Sequence, residues 1–481
     1  MTAKKWVIRV EDKHFKTALW GFSWEEVLKE SGICEQGTAK LENDRISLDI
    51  PFGQILADNS FYSLRSDNAK PEEAEYLYGF TQDGWYLALA NAHSAGTGES
   101  SPGAPHQYVH ATEILASKDR FDPSEQVKEA QVYMLGLREW YEKAPYSAHH
   151  YRDDRKTVYE LNMKDGKAQN AVLYECDQYM IKICHHITQS PVDAGGFHVD
   201  HDCIAQIAFR EPVARKTAET TMVRFSDFIS LCVGFDAQIT RIEYDIVGGS
   251  MPVFSYVPFV VGVKPTQWQL AMIPLRYRDL ESHISESIEL WLNANEHFID
   301  IGNLLCSLLF NSWKLPLDLK FTGASQVLES LSKYKADTSA LPKEQYQQRC
   351  ERLNELYDTI EDQELQRWAK ERIPGNTKGQ RRFLKELLEK HSAISDWLIP
   401  NRAAFVGAQI GSRNYYAHRH NSKGALKGAQ LYWHTEGVLL FCYAAVTELA
   451  GVPSTTIISG IRESSSLSRT AAKMKELYGT K

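Results

Sequence analysis

Three places in this chain set an arginine five residues ahead of a histidine: Arg9 and His14, Arg278 and His283, Arg413 and His418. Arginine is a permanent planar cation that suits phosphate, and histidine exchanges a proton near neutral pH. Together they supply two needs of phosphoryl transfer, charge stabilisation and general acid–base catalysis. The third match, Arg413-Asn414-Tyr415-Tyr416-Ala417-His418, also carries an amide that can orient a phosphate oxygen. The spacing alone is a weak signal, so the surrounding elements must choose between the three.

Arg9 and His14 fall on and just past the strand expected over Trp6–Val10. An odd separation on a strand points the two side chains to opposite faces, which discards this pair. Arg278 and His283 stand at the entry to a helical pattern running through Ile284, Ile288, Trp291 and Leu292. Ser282 and Ser285 there read as caps, and the acids of the first turn suit the helix dipole. The third pair sits inside a helix that begins near Asn401. An apolar stripe through Arg402, Val406, Ile410, Arg413, Ala417 and His420 would place Arg413 toward the core. An unpaired buried arginine costs several kcal/mol, so Arg413 should be ion-paired or line a cleft. Asn414 and His418 share a face, whereas Arg413 and His418 lie roughly 140° apart on a straight helix. They converge on one phosphate only if the helix ends or bends near His418, or if a second copy contributes. Gly407 and Gly411, four apart, would permit close approach of another helix. Tyr415 offers a face for base stacking, and Arg419, His420 and Lys423 add local positive charge for RNA. The competing reading is an ordinary bundle helix with a salt-bridged Arg413 and exposed histidines.

The chain around this motif changes period near residue 270. Residues 1–270 read as a mainly-β domain, an antiparallel sandwich or barrel-like module. Short alternating or β-branched runs recur at Arg45–Ile50, Tyr76–Phe80, Trp85–Leu89, Val132–Leu137, Ala171–Tyr174, Tyr179–Ile183 and Ile204–Phe209. Gly96–Pro105 reads as a loop and Arg224–Gly234 as an embedded helix. Residues 271–481 read as an all-α bundle with helices over Ala324–Tyr334, Lys343–Ile373, Gly379–Leu398, Asn401 onward and Lys427–Ala450. A Ser-rich connection, Ser464–Ser468, precedes a short C-terminal helix. The fold class expected is therefore α+β in two domains.

With 481 residues, 43% hydrophobic, and a formal net charge of −8, the composition is that of an ordinary globular protein. The acidic balance argues against a generic nucleic-acid-coating surface and confines any RNA contact to a local basic patch. The eight Cys are scattered without a C-x-x-C pair, which fits reduced thiols. No signal-peptide pattern opens the chain, and the longest apolar runs are too short for a bilayer, so a cytoplasmic location without membrane contact is expected. One cluster in the β half has zinc-ligand chemistry, Cys176, Cys184, His185, His186, His198, His201 and Cys203, at a spacing that fits no familiar finger or knuckle; Cys184, His198, His201 and Cys203 are the set expected to hold a metal.

The motif Arg413-Asn414-x-x-x-His418, near the end of a bundle helix and followed by the apolar helix Leu431–Ala450, resembles the signature of the HEPN superfamily. There an arginine is followed by a polar residue, three further residues and a histidine. Phe321–Tyr334 (FTGASQVLESLSKY) resembles the early helix of the ApeA-like HEPN branch, in which a glutamate follows an apolar pair, here Val327-Leu328-Glu329. The β half, with Leu77–Phe80 and Trp85–Ala90, is similar to the ApeA N-terminal domain. The resemblance implies a cofactor-free, metal-independent endoribonuclease of abortive-infection anti-phage defence. It would work as a homodimer through the HEPN domain, with Arg413, Asn414 and His418 catalytic and Glu329 supporting Arg413. The β-rich domain would sense a phage-derived trigger. A non-catalytic dimerisation or RNA-binding module is the alternative, and a zinc enzyme, inactivated by chelator, a third.

Overall fold

The computed structural model describes residues 18–29, 34–42, 45–57, 71–100, 104–143, 146–153, 156–163, 170–189, 199–256, 272–310, 312, 315–373, 375–418 and 424–479. The strand expected over Trp6–Val10 lies outside the described residues, as do His198, Arg419, His420 and Lys423. Two compact units emerge, residues 1–271 with 276–292, and residues 272–275 with 293–481.

The first unit begins with β1 (Ala18–Gly21), α1 (Trp24–Lys29), β2 (Glu35–Glu42), β3 (Arg45–Ile50), β4 (Glu73–Thr81), β5 (Tyr86–Ser100) and β6 (Ala104–Ala111). Hydrogen bonding runs β4-β1-β2-β3-β6 and closes through β5, giving a six-stranded antiparallel barrel. Alternation builds it: Ile46, Leu48 and Ile50 of β3 point inward with Trp20, Leu77, Leu87, Leu89 and Val109. The stretch expected as a loop over Gly96–Pro105 is instead the end of a hairpin, paired as far as Ser100 with Ala104.

β5 serves two structures. Its first half, Tyr86–Ala90, pairs β7 (Glu113–Ser117), and its second half, from His93, pairs β6. Asn91 marks the fork with a left-handed φ of 52°, and its side-chain amide donates to Thr112 Oγ1 at 2.9 Å. Asparagine tolerates that conformation better than most residues. From β7 the sheet continues through β8 (Val127–Met134), β11 (Ala171–Glu175), β12 (Tyr179–Gln189), β13 (Val199–Val213), β14 (Ile239–Ile246) and β15 (Val253–Tyr256), in the order β7-β15-β14-β8-β13-β12-β11. β9 (Tyr146–Asp153) and β10 (Lys156–Met163) form a separate hairpin. The unit also holds α2 (Leu137–Tyr141), α3 (Arg215–Val233), α4 (Tyr277–Leu280) and α5 (Ile284–Leu292). α3 starts nine residues before the expected Arg224 and buries Met222, Phe225, Phe228 and Ile229. α5, whose helical period was expected to open the bundle, groups with the β-rich unit.

The second unit comprises α6 (Glu296–Phe310), α7 (Leu317–Lys333), α8 (Lys343–Asp358), α9 (Gln363–Lys370), α10 (Gln380–Lys390), α11 (Ser392–Leu398), α12 (Arg402–His418), α13 (Gly428–Leu449), α14 (Ser454–Glu463) and α15 (Ser465–Tyr478). α13 is its axis: every residue from Gly437 to Thr447 is buried, as expected of a helix that is apolar all round. The single helix expected over Lys343–Ile373 is two. Asp362 accepts from the backbone N–H groups of Glu364 and Leu365 and so caps a new start. Neither piece buries a residue, and Leu356, Leu365 and Trp368 are exposed. Gly379–Leu398 likewise breaks at His391, and Ser465–Ser468, expected as a connection, is already helix. Among the described residues no helix is long and apolar enough to cross a membrane.

In the barrel, Gly79 of β4 stands directly opposite Trp20 of β1, and a Cβ on Gly79 would lie 2.7 Å from the indole ring. Trp20 is fully buried and donates its indole N–H to the Gly37 carbonyl at 3.1 Å, so it has no room to retreat. Gly79→Ala is expected to cost about 1–3 kcal/mol as overpacking, read as a lower urea midpoint at unchanged m-value.

Candidate functional site

α12 is placed by its buried face, and that face is not the expected one. Phe405, Val406, Gln409 and Ser412 point into the bundle, whereas Ile410 and Arg413 are half-buried and Ala417 is exposed. The apolar stripe drawn through Val406, Ile410 and Arg413 is therefore rotated by about one residue. The true stripe is less apolar because two of its positions are Gln409 and Ser412. Asn401 starts the helix, its side-chain oxygen accepting from the Ala404 N–H at 2.9 Å.

Gln409 explains the polar intrusion. Its amide nitrogen donates to Ser325 Oγ of α7 at 3.0 Å, and its oxygen accepts from Nε2 of His434 on α13 at 2.8 Å. Nδ1 of His434 in turn accepts from the Tyr478 hydroxyl of α15 at 2.7 Å. An amide oxygen only accepts, so the proton of the neutral imidazole belongs on Nε2. Gln409 is 1% exposed and His434 0%, yet every link is satisfied. Burial pushes the His434 pKa down to about 3.

Arg413 emerges at the edge of this packed face. Its guanidinium lies 3.5 Å from Oε2 of Glu329 on α7, with side-chain exposures of 30% and 26%. The same carboxylate receives Lys333 at 3.0 Å and the Gln380 amide at 3.5 Å. Arg413 is thus paired but open to solvent, which avoids the cost of burying an uncompensated charge. Asn414 follows, half-buried. Tyr415 meets Tyr416 edge-on at 4.9 Å and has the Lys427 ammonium 5.4 Å from its ring centre. α12 ends at His418.

Beyond the helix end the chain returns to α12. Leu426 donates its N–H to Ser412 Oγ at 3.0 Å, and its carbonyl accepts from the Tyr416 hydroxyl at 3.1 Å. Gly411 backs this return: a Cβ there would sit 3.6 Å from the Gly424 carbonyl oxygen. The close approach expected at Gly411 is made by this returning chain, and a Cβ on Gly407 would meet nothing within 4 Å among the described residues. What the arrangement offers chemically is a fixed cation beside an amide, one helical turn before a histidine at the helix end.

The β-half cluster is regrouped by strand register. Cys184 stands opposite Ile204 on the other face of β12, where its thiol meets Gln206 at 3.1 Å. His185 takes its place beside His201 and Cys203. Sequence reasoning held His185 only as one of seven candidate ligands, and it passed over Gln409 and His434. Only the pairing of His185 with Cys203, invisible without the register, singles it out.

Residues 30–291 match the family model for ApeA N-terminal domain 1, and residues 322–456 match the model for Apea-like HEPN. No curated protein and no solved structure matches the chain.

His434 ties bundle stability to pH. The unfolded histidine takes up a proton near pH 6.5, whereas the folded one resists protonation down to about pH 3. Its contribution is complete above the unfolded value and declines as pH falls, by up to about 1.4 kcal/mol per pH unit. Thermal melts between pH 7 and 5 should therefore fall more steeply for wild type than for His434→Gln, which cannot titrate.

Proposed function

Since the chain belongs to the ApeA family and its helical half is an ApeA-like HEPN domain, we propose that it is a metal-independent endoribonuclease of anti-phage defence. The observation that carries this reading is the Arg413–Glu329 pair. A cation fixed by a neighbouring helix, yet 30% exposed, is open to an incoming anion, next to Asn414 and five residues before His418.

In the reaction a ribose 2′-hydroxyl attacks the adjacent phosphorus and the bond from phosphorus to the 5′ oxygen breaks. A histidine removes the 2′ proton and a histidine returns one to the departing oxygen. The products are a 2′,3′-cyclic phosphate and a 5′-hydroxyl. Arg413 stabilises the charge that accumulates on the phosphorane oxygens, and Asn414 orients one of them. Glu329 keeps the guanidinium in place. Two copies meeting through the helical domain would supply two His418 side chains, one as base and one as acid, and would overcome the angular separation of Arg413 from His418. Tyr415, Arg419, His420 and Lys423 would contribute stacking and positive charge toward RNA. The β-rich domain would restrain the nuclease until a phage-derived trigger binds.

Mapping 5′-hydroxyl RNA ends in cells expressing wild type or the Arg413→Ala/His418→Ala double variant tests activity and substrate together. The expected loss is at least about 100-fold, in the range typical of removing an acid–base group or an oxyanion donor. Equal cleavage by the double variant would sink the assignment, and RNA binding without cleavage by wild type would make the domain a binding module. Glu329→Gln should leave stability within about 1 kcal/mol, because the pair is partly solvated. Cleavage should nonetheless fall, by less than for Arg413→Ala.

A further inference from the structure

The β-rich unit contains a set of donor atoms that RNA cleavage does not use. In the antiparallel pair of β12 and β13, His185 is directly opposite Cys203, and His201 is opposite Ile187, two residues along. Side chains two apart share a face of a strand, so His185, His201 and Cys203 project to the same side. His185 Nδ1 lies 2.9 Å from His201 Nε2. Cys203 Sγ lies 3.7 Å from the first and 3.9 Å from the second.

Tetrahedral zinc, with Zn–N distances near 2.0–2.1 Å and Zn–S near 2.3 Å, sets its ligand atoms about 3.3 Å apart for two nitrogens and about 3.6 Å for nitrogen and sulfur. The observed triangle departs from that by only a few tenths of an ångström. An ion at its centre would replace the hydrogen bond between the imidazoles and spread them slightly. Two imidazoles and a thiolate form a borderline-soft donor set, suited to zinc and unsuited to magnesium or calcium. The positions are rigid, because all three residues sit on paired strands and Cys203 is buried. α2 packs against them: the Tyr141 ring is 5.7 Å from that of His185, and Arg138 donates to the His201 carbonyl at 3.2 Å. The Arg138 charge is offset by Glu139, 2.5 Å away.

We propose that His185 Nδ1, His201 Nε2 and Cys203 Sγ bind a zinc ion that staples β12 to β13 beside α2, with the fourth position filled by a donor outside these three. On binding, the Cys203 thiol gives up its proton to solvent and the thiolate takes the metal. The zinc site stands apart from the nuclease reading.

The test uses the full chain expressed in zinc-supplemented medium and measures metal content by mass spectrometry. Wild type should carry about one zinc per chain, and Cys203→Ser and His201→Gln well under half of that. Cys184→Ser, on the opposite face, should keep the full complement. Cobalt loaded in place of zinc should show a thiolate-to-metal charge-transfer band in wild type and Cys184→Ser that is absent from Cys203→Ser. If Cys203→Ser fails to fold, the wild-type cobalt spectrum decides alone. Substoichiometric zinc with no thiolate band, or zinc retained in full by folded Cys203→Ser, would overturn the proposal.

Discussion

Four helices of the bundle are tied together by a buried run of hydrogen bonds from Ser325 through Gln409 and His434 to Tyr478. Apolar packing alone fixes a helix poorly about its own axis, because neighbouring rotations bury similar areas. A buried amide that must meet one hydroxyl and one imidazole removes those alternatives, since an unpaired polar group there costs about 1–3 kcal/mol. Gln409 is one turn before Arg413, so the rotation that satisfies the network also sets the direction in which Arg413 leaves the helix. The Glu329 contact then refines an orientation already chosen in the core.

The β-rich unit meets a comparable constraint at its fork. Glu113, the first residue of β7, is buried where β5 passes from one partner to the other, and it pairs with Arg215 at the start of α3. Ser255 donates to the same carboxylate, and Arg215 also reaches the Tyr76 hydroxyl at 3.0 Å. Breaking one side of such a buried pair typically costs about 3–5 kcal/mol. The junction of barrel and sheet is thus held by polar groups that have a single satisfactory arrangement.

How much of this was legible depended on the reach of each signal. The α+β division, the alternation of β3 and β4 and the all-apolar α13 follow from local periodicity and could be read directly. The motif at Arg413 was found by residue type and spacing, yet its face was misjudged. The reading assumed an apolar core, whereas the core position next to Arg413 is a serine bonded to the Leu426 backbone. The hairpin at Gly96–Pro105 was mistaken for a loop because glycine and serine signal turns locally, while pairing between Ser94 and Val109 is decided at a distance. Cys184 and His185 differ by one position in sequence and by a whole sheet face in space, a distinction fixed by register with β13. The break at Asp362, by contrast, was readable from its capping chemistry and was overlooked in favour of a longer period.

The clasp between α12 and Leu426 has a mechanical consequence. The chain departs at His418 and is held again at Leu426 by Ser412 and Tyr416, so both ends of the intervening basic segment are anchored to one rigid helix. Loop-closure entropy grows only logarithmically, about 0.6 kcal/mol for a doubling of length. A change in the length of chain between the two anchors therefore costs little and leaves the Arg413–Glu329 geometry in place. The Arg413–Glu329 pair is in this way insulated from changes in the connection between the two anchor points.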